Sequence, residues 1–203
     1  MADSTGTGGS KRERTMDRIL DAAAHLFAEQ GAAAVSVRDV AEMAGVSHAL
    51  VHRYFGNKDD LVLAAFTKSS ELVRERVAGA QTASVFVESV FALFLEQPLI
   101  PRMMIRNLLE GQRTGEEAPH PDVIPRALEL MEADKVAAAQ PEDSEMFDAH
   151  LIVAAVAAMT LGWTAAEDRL VTRANMGDHD REEVRAELQR LIRRILLMAD
   201  TSR

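Results

Sequence analysis

Cysteine is absent from this 203-residue chain. Its absence excludes disulfide frameworks, thiolate nucleophiles and cysteine-based zinc sites, and it fits a reducing compartment such as the cytoplasm. Apolar runs are also missing from residues 1–10, which are small and polar. We therefore expect no secretory signal there, and residues 1–13 are predicted to form a disordered tail.

Residues that favour strands are sparse, and aromatic residues make up only 4% of the sequence. Alanine, leucine, glutamate and arginine dominate instead, a composition that favours helices. The apolar stretch 149–166 approaches the length that spans a bilayer, but it is rich in alanine and contains His150, Thr160 and Thr164. We predict an all-α fold of about nine helices with essentially no sheet and no membrane span.

Signatures of catalysis are missing as well. The chain has no G-x-S-x-G elbow, no phosphate-binding loop, no paired metal motif and no recognisable triad. His48 and His52 have the i, i+4 spacing of two zinc ligands, but the glutamate of an HExxH motif is not there. We therefore expect no enzyme, no cofactor and no metal site.

The net charge of −9 argues at first against a nucleic-acid partner, since DNA affinity comes largely from neutralised phosphates. However, residues 1–58 contain seven Lys or Arg and seven Asp or Glu, so the excess negative charge lies beyond them. A DNA-binding surface is therefore expected in the N-terminal part. Lys11, Arg12 and Arg14 form either a basic arm for the minor groove or an unbound flexible tail.

Three helices are predicted in the N-terminal part. The first spans 14–30, where apolar residues recur every three or four positions. A second starts with a capping-box-like pattern at Ser36 and ends at Gly45, and a third spans 47–55. Two short helices joined by a glycine turn form a helix-turn-helix, so residues 14–58 are predicted to be a DNA-binding domain.

The remaining residues, 59–203, are predicted to form a helical effector-binding and dimerisation domain. A long helix starts at Lys58, and proline residues mark the joints of the helices that follow it. The polar segment 112–121 is rich in glycine, proline and glutamate and is predicted to be a surface loop. The further helices are expected at about 82–96, 101–111, 122–139, 144–168 and 180–199.

The third helix carries a face suited to DNA. On a helical wheel, its large apolar residues share one arc and leave the opposite arc free. Arg and His side chains reach base edges or phosphates, and a small alanine between them allows close approach to the major groove. A solvated face on an ordinary short helix is the alternative interpretation. The free arc consists of His48, Ala49, His52 and Arg53.

The sequence around this helix resembles the N-terminal signature of the TetR family of transcriptional regulators, over roughly residues 14–65. The resemblance rests on SVRDVA from Ser36, AGVS ending at Ser47, YFGNKDDL from Tyr54 and LFAEQG ending at Gly31. It implies a homodimer that binds a palindromic operator in double-stranded DNA. It also implies a bacterial source and, most often, a repressor that a small molecule releases from DNA.

The resemblance further implies roles for individual residues. The third helix takes the place of the recognition helix, with His48 and Ala49 at positions that typically meet bases. Tyr54 and Lys58 occupy places that usually hold phosphates, and Arg38 is either a second phosphate clamp or a solvated arginine. The predicted DNA-binding residues are Arg38, Ser47, His48, Ala49, His52, Arg53, Tyr54 and Lys58.

Two residues of the recognition helix depart from the family pattern. Leu50 stands where a small residue such as threonine is common, and His52 stands where a tyrosine often touches phosphate. A protonated His52 donates more strongly to phosphate, so we expect operator binding to depend on pH below neutrality.

Two apolar stripes in the C-terminal part indicate a dimer interface. One lies on the helix predicted at 144–168, where small residues permit close helix contact, and the other has heptad-like spacing on the last helix. Two such helices from each subunit would form the four-helix interface by which the family usually dimerises. Alternatively, both stripes face the subunit's own core. The predicted interface residues are Leu151, Ala155, Ala158, Gly162, Leu188, Leu191 and Ile195.

The central helices carry candidate effector-binding residues. They combine aromatic and methionine side chains with few polar groups, which favours a small hydrophobic effector. Most of them are core residues by default, and His150 is either a ligand contact or a satisfied core histidine. The candidates are Phe86, Phe94, Met103, Met104, Asn107, His150, Met159 and Trp163, with Phe91 and Met131 as further apolar candidates.

Two other functions remain compatible with the sequence. One is a DNA-binding regulator without a small-molecule switch, acting as repressor or activator. The other is a helical protein-interaction scaffold, which predicts no salt-dependent DNA affinity and no effect of changing Arg53 or Lys58.

Overall fold

The computed structural model describes residues 10–110, 123–137 and 147–200. Within these ranges the chain forms nine α-helices and two very short strands, which confirms the predicted all-α class. The helices are α1 Lys11–Gln30, α2 Val37–Met43, α3 His48–Phe55, α4 Lys58–Val77, α5 Ala83–Glu96, α6 Leu99–Glu110, α7 Val123–Ala137, α8 Ala149–Arg173 and α9 Arg181–Leu196. The strands are β1 Phe147–Asp148 and β2 Ala199–Asp200.

The pair of two-residue strands is a minor addition to the helical fold and agrees with the expectation of essentially no sheet. β1 and β2 pair in parallel, with Phe147 opposite Ala199, and the Phe147 N–H donates to the Met198 carbonyl at 2.8 Å. Amino-acid composition gives only an average tendency to form strands, so it cannot predict that two residues pair with two others far along the chain. The pair fixes the start of α8 beside the residues that follow α9.

Helix α1 starts three residues earlier than predicted. Ser10 and Glu13 form a capping box: the Ser10 hydroxyl accepts from the Glu13 N–H at 3.2 Å, and the Ser10 N–H donates to the Glu13 carboxylate at 2.6 Å. Lys11 and Arg12 are therefore helical and belong neither to a flexible arm nor to a disordered tail. Residues 1–9 lie outside the described residues.

Helix α8 starts later than the predicted range 144–168. The Asp148 carboxylate caps it by accepting from the N–H groups of His150 and Leu151 at 2.9 and 3.2 Å. Near its C-terminal end the helix bends at Ala166, whose φ of −135° and ψ of 19° are not helical. The start of the predicted helix, at 144–146, lies outside the described residues.

The remaining helix bounds differ from the prediction by at most three residues. The clearest case is α6, which includes Pro101 although proline was expected to mark its start. Proline is tolerated there because the N–H groups of a first helical turn have no partner inside the helix. The loop predicted over 112–121 lies outside the described residues.

Two apolar cores lie along the molecule, and α4 contributes to both. Leu61 and Phe66 belong to the N-terminal core with α1 to α3, whereas Val73 belongs to the C-terminal core with α5 to α9. Met103 of α6 is buried in the N-terminal core. Helices α4 and α6 therefore connect the helix-turn-helix module to the rest of the chain.

Two arginines on α6 strengthen this connection. Arg106 donates from Nε to the Ala28 carbonyl at 3.0 Å and from Nη2 to the Glu29 carbonyl at 2.7 Å. These carbonyls lie at the C-terminal end of α1, where helical carbonyls lack partners within the helix. One turn earlier, Arg102 donates to the Ala165 carbonyl at 3.2 Å, next to the bend of α8. α6 thus holds the end of α1 and the bend of α8 together.

Candidate nucleic-acid interface and cavity

Local capping interactions position the two helices of the helix-turn-helix. The Ser36 hydroxyl and N–H both donate to the Asp39 carboxylate at 2.7 Å, and these two hydrogen bonds lower the pKa of Asp39. The turn between the helices uses Gly45, whose φ of +64° favours glycine. The Ser47 hydroxyl then accepts from the Leu50 N–H at 3.3 Å and starts α3.

Helix α3 has one buried and one exposed face, as its sequence predicts. Val51 is buried in the N-terminal core, and Tyr54 and Phe55 are half-buried. On α2, Arg38 is exposed as well. Exposure is what a recognition helix requires, and contact with DNA stays a prediction. The exposed residues at α3 are Ser47, His48, Ala49, His52 and Arg53.

His48 and His52 contact each other on the exposed face. Their Nε2 atoms lie 3.1 Å apart, and their rings meet edge to face with centroids 4.3 Å apart. His52 Nδ1 lies 2.6 Å from the Gly56 carbonyl oxygen, which can only accept, so Nδ1 carries the proton. Among the described residues, no group of three or more His, Asp or Glu could hold a metal ion.

Tyr54 brings two arginines together beside the recognition helix. The guanidinium carbon of Arg53 lies 5.4 Å from the Tyr54 ring centroid, and that of Arg12, from α1, lies at 5.6 Å. The predicted tail or arm does not include this position of Arg12 beside Tyr54. The capping box at the start of α1 was the available signal, because a helix starting at residue 11 places Arg12 on its first turn.

Lys58 is half-buried, and its ammonium group donates to the Ala33 carbonyl at 3.0 Å. The N-terminus of α4 is capped by Asn57, and the Asp60 carboxylate accepts from the Asn57 N–H at 3.2 Å. With Asp59 also in this turn, two carboxylates already occupy the positive end of the helix. An attraction of this end of α4 for a phosphate would therefore come from Lys58, after its ammonium group gives up the hydrogen bond to Ala33.

A cavity of about 310 Å³ lies within the C-terminal core, between α5, α6, α7, α8 and the end of α9. This volume is at the small end of ligand pockets, which span roughly 300–1,000 Å³. Among the described residues, the lining side chains are apolar except for one threonine. They are Phe86, Val87, Val90, Phe94, Met104, Leu108, Val123, Ile124, Pro125, Ala127, Val153, Val156, Ala157, Thr160, Leu161 and Leu196.

Three predicted effector residues, Phe86, Phe94 and Met104, line this cavity. The other candidates lie elsewhere in the subunit and do not line the cavity. Met103 is buried in the N-terminal core, and Trp163 donates from Nε1 to Glu167 at 3.2 Å. The remaining candidates outside the lining are Asn107, half-buried on α6, Met159, packed against the C-terminal core, and the buried Phe91 and Met131.

His150 is not a core histidine, and it does not line this cavity. Its side chain is 75% exposed, and its Nδ1 lies 3.5 Å from the carboxylate of Asp148. Because Asp148 caps α8, His150 falls in the first turn of the helix rather than in its apolar middle. The polar side chain that does line the cavity is Thr160, which was not among the predicted effector-binding residues.

The predicted stripe on α8 is open to the surroundings of the subunit. Leu151 is 60% exposed, Ala158 is exposed, and a Cβ added to Gly162 would meet no atom within 4 Å. By length and composition α8 is apolar enough to cross a membrane, yet buried core helices pass the same test. Only 33% of the most apolar stretch of α8 is buried in this subunit. The exposed apolar surface of the helix is therefore expected to contact another molecule.

On α9 the predicted seam is divided between two surfaces. Leu188 and Ile195 pack against the C-terminal core, whereas Leu191 is 49% exposed. The core also receives Ile192 and Leu196, at spacings of four residues. Because 3.6 residues complete a turn, residues at spacings of three and four spread over a broad apolar face. One edge of this face packs against the core, and the other edge is exposed.

The glycine turn between two short helices, the exposed second helix and the paired arginines beside it define a helix-turn-helix DNA-binding protein. The family model described as "Bacterial regulatory proteins, tetR family" matches residues 19–65. The chain is 30% identical over 187 residues to the HTH-type transcriptional repressor Rv3405c of Mycobacterium tuberculosis, covering 91% of this chain and 90% of that protein. The chain belongs to the TetR family of bacterial transcriptional regulators.

Further similarities agree with this assignment. The chain is 38% identical over 76 residues to the HTH-type transcriptional regulator BetI of Rhizobium meliloti, covering 37% of each. A putative transcriptional regulator of Streptomyces coelicolor, SCO4942, shares the fold with a TM-score of 0.70 at 22% identity, over 89% of this chain and 97% of that one. GusR of Salmonella enterica shares it at 0.60 and 19% identity, over 93% and 98%.

Proposed function

We propose that this protein is a cytoplasmic, homodimeric repressor that binds a palindromic operator through α3 and releases it when a small hydrophobic molecule occupies the cavity. The exposed face of α3, flanked by Arg12 and Arg53, carries this proposal. The similarity to a transcriptional repressor over most of the chain supports the repressor role.

The proposed contacts with DNA divide into two kinds. His48 and Ala49 start α3 on its exposed face and would approach base edges in the major groove. Arg38, Tyr54 and Lys58 would hold phosphates on either side and set the position of the helix. To reach a phosphate, Lys58 must give up its hydrogen bond to the Ala33 carbonyl. A neutral acceptor is then replaced by a charged one, which forms a stronger hydrogen bond.

A second copy of the chain is the proposed cover for the open stripe of α8. The stripe consists of small residues, so two α8 helices can approach closely, and Leu191 of α9 extends the apolar surface. A bilayer suits this surface less, because the exposed side of α9 also carries Glu187 and Arg190. Two subunits would place their recognition helices about one DNA turn, roughly 34 Å, apart.

Helix α6 is the proposed route from the cavity to the DNA-binding module. Met104 and Leu108 line the cavity, and Arg106 on the same helix holds the carbonyls of Ala28 and Glu29 at the end of α1. A ligand that fits only one position of α6 would therefore favour one position of α1. The change that the ligand causes in the free energy of operator binding is limited by the difference in its binding free energy for these two positions of α6.

Selection of bound duplexes from a random DNA pool tests the DNA-binding proposal. We expect the wild type to enrich a palindrome, and Arg53→Ala and Lys58→Ala to lose that enrichment. Arg74→Ala is the matched control, because it removes an exposed arginine near the other end of α4. No enriched sequence at low salt would contradict the proposal and favour a helical interaction scaffold.

A further inference from the structure

The Thr160 hydroxyl is buried and has no hydrogen-bond partner among the described residues. Thr160 lies on α8, is only 3% exposed, and lines the cavity. Its Oγ1 has no partner within hydrogen-bonding distance in the described part of the chain. A buried hydroxyl that makes no hydrogen bond destabilises the folded state, so its presence in an apolar cavity calls for a physical reason.

Other helical hydroxyls in the described residues show that this situation is avoidable. Threonine and serine in helices commonly donate to the carbonyl four residues earlier. Thr164, one turn after Thr160 and similarly buried, does so with a distance of 2.7 Å to the Thr160 carbonyl. Thr160 does not use the corresponding Val156 carbonyl. The same bond is made by Thr15, Ser69, Ser89 and Thr172.

The rest of the lining determines what else a ligand can carry. Within the part of the chain that the structure describes, all the other side chains around the cavity are hydrocarbon or thioether groups. A charged ligand group would be buried there without a counter-ion, which is strongly unfavourable. A second polar group would likewise find no side-chain partner. The lining therefore selects a neutral and mostly apolar molecule.

We propose that the cavity binds a small neutral hydrophobic molecule with a single hydroxyl or carbonyl group, and that Thr160 Oγ1 forms the hydrogen bond to that group. This inference rests on the proposed ligand-responsive function and specifies the chemical class of its ligand. A threonine hydroxyl can donate to a carbonyl and can both donate to and accept from a hydroxyl. The cavity volume of about 310 Å³ limits the ligand to a small molecule.

A set of three probes with one ring system tests this proposal: 2-naphthol, naphthalene and 2-naphthoate. Their binding to the full-length protein is measured by isothermal titration calorimetry at neutral pH. We expect the wild type to bind 2-naphthol about tenfold more tightly than naphthalene, the factor that one net hydrogen bond supplies. The charged 2-naphthoate should bind much more weakly than both.

Thr160→Val removes the hydroxyl while keeping the shape of the side chain. We expect this variant to bind 2-naphthol and naphthalene with equal affinity. It should also melt at or above the temperature of the wild type, because the lost hydroxyl had no partner. Thr164→Val is the control: it loses an existing hydrogen bond and should melt at a lower temperature, while retaining the preference for 2-naphthol.

Three results would overturn the inference. The first is a preference for 2-naphthol that survives in Thr160→Val, and the second is a loss of melting temperature in Thr160→Val equal to that in Thr164→Val. The third is failure of all three probes to bind. Operator binding in the absence of any probe is measured in parallel. If the protein binds an operator but none of the probes, the proposed ligand class is wrong and the proposed function stands. If the probes bind in a Thr160-dependent way but no operator is found, the proposed function is wrong and the ligand class stands.

Discussion

The N-terminal and C-terminal parts of the chain use their apolar residues differently. In the helix-turn-helix module, large side chains such as Phe27 and Val51 are buried within the subunit, and the free face of α3 is polar. In the C-terminal part, Leu151 and Leu191 are 60% and 49% exposed, and apolar side chains surround a cavity. The first part presents a finished polar surface for DNA, while the second has apolar surfaces that suit another subunit and a small molecule.

The charges divide along the same line. Residues 1–58 are neutral in sum, so the net charge of −9 arises from the remainder of the chain. Phosphates repel that remainder and favour an orientation in which only the N-terminal module meets the duplex. The comparison thus supports the proposal that one part contacts DNA and the other part mediates assembly and sensing. The following predictions test this division, starting with the largest expected effect.

Ala158→Glu should separate the proposed dimer. Ala158 is exposed on the small-residue stripe of α8, so the substitution leaves the subunit core intact but brings a carboxylate into each half of the interface. Burying like charges opposite each other costs several kcal/mol, which should weaken dimerisation at least about a hundredfold. Sedimentation velocity gives the oligomeric state.

Val85→Glu is the control for this experiment, because it places the same charge on an exposed apolar residue of α5, away from the stripe. It should remain dimeric. If Ala158→Glu is as dimeric as Val85→Glu, the stripe of α8 is not the interface between subunits.

Arg53→Ala should weaken operator binding by about 1–3 kcal/mol for each subunit, because it removes a cation from the exposed face of α3. Fluorescence anisotropy with a labelled operator measures this loss. Arg74→Ala should change the affinity little. Equal losses in the two variants would show that net charge, rather than the α3 face, determines binding.

Glu167→Gln should loosen the contact between α8 and α9. Arg185 donates to the two Glu167 oxygens at 2.8 and 2.7 Å, and Trp163 donates to one of them. The loss of the Glu167 charge should lower the free energy of unfolding by about 1–3 kcal/mol at neutral pH, which is the contribution expected of hydrogen bonds to a charged group. Denaturant unfolding followed by the fluorescence of Trp163, the single tryptophan, measures this change.

The effect of Glu167→Gln should depend on pH. The hydrogen bond from Arg185, with a further one from Trp163, lowers the pKa of Glu167. Its stabilisation is therefore complete above the ordinary glutamate pKa and disappears as the pH falls through the lowered value. Glu187→Gln, which removes an exposed partner of Arg190 at 3.4 Å, should cost less than about 1 kcal/mol and serves as control. Equal costs for both substitutions would contradict this account.

The smallest expected effect concerns the histidine pair of α3. His52 donates from Nδ1 to the Gly56 carbonyl, and its Nε2 lies 3.1 Å from Nε2 of His48 on the exposed face of α3. We expect His52→Ala to weaken operator binding a few-fold, because it removes a polar ring from the proposed DNA-facing side of the helix. An operator affinity of His52→Ala equal to that of the wild type would rule out a contribution of His52.

Sequence analysis predicted the N-terminal module well because its signals are local. Ser36 with Asp39 marks a helix start, Gly45 a turn and Ser47 the next start, all within twelve residues. The misplaced start of α1 is of the same kind, since Ser10 and Glu13 form another capping box that was not recognised. Such features can be read from a short segment without knowledge of the rest of the fold.

The cavity could not be predicted in the same way. Its lining comes from five helices, so membership depends on how those helices pack and not on residue type. Phe86 and Phe91 are both buried phenylalanines of α5, yet only Phe86 lines the cavity. His150 was misplaced because one capping residue, Asp148, decided which turn of α8 it occupies.

The most direct test of the central claim compares three duplexes at one salt concentration: the selected palindrome, a single half-site, and the palindrome with about five base pairs inserted at its centre, which is half a helical turn. We predict tight binding of one dimer to the palindrome and much weaker binding to the other two, because the C-terminal parts hold the two α3 helices at a fixed separation. Equal affinity for all three duplexes would contradict the division between a DNA-binding module and a dimerising, ligand-sensing domain.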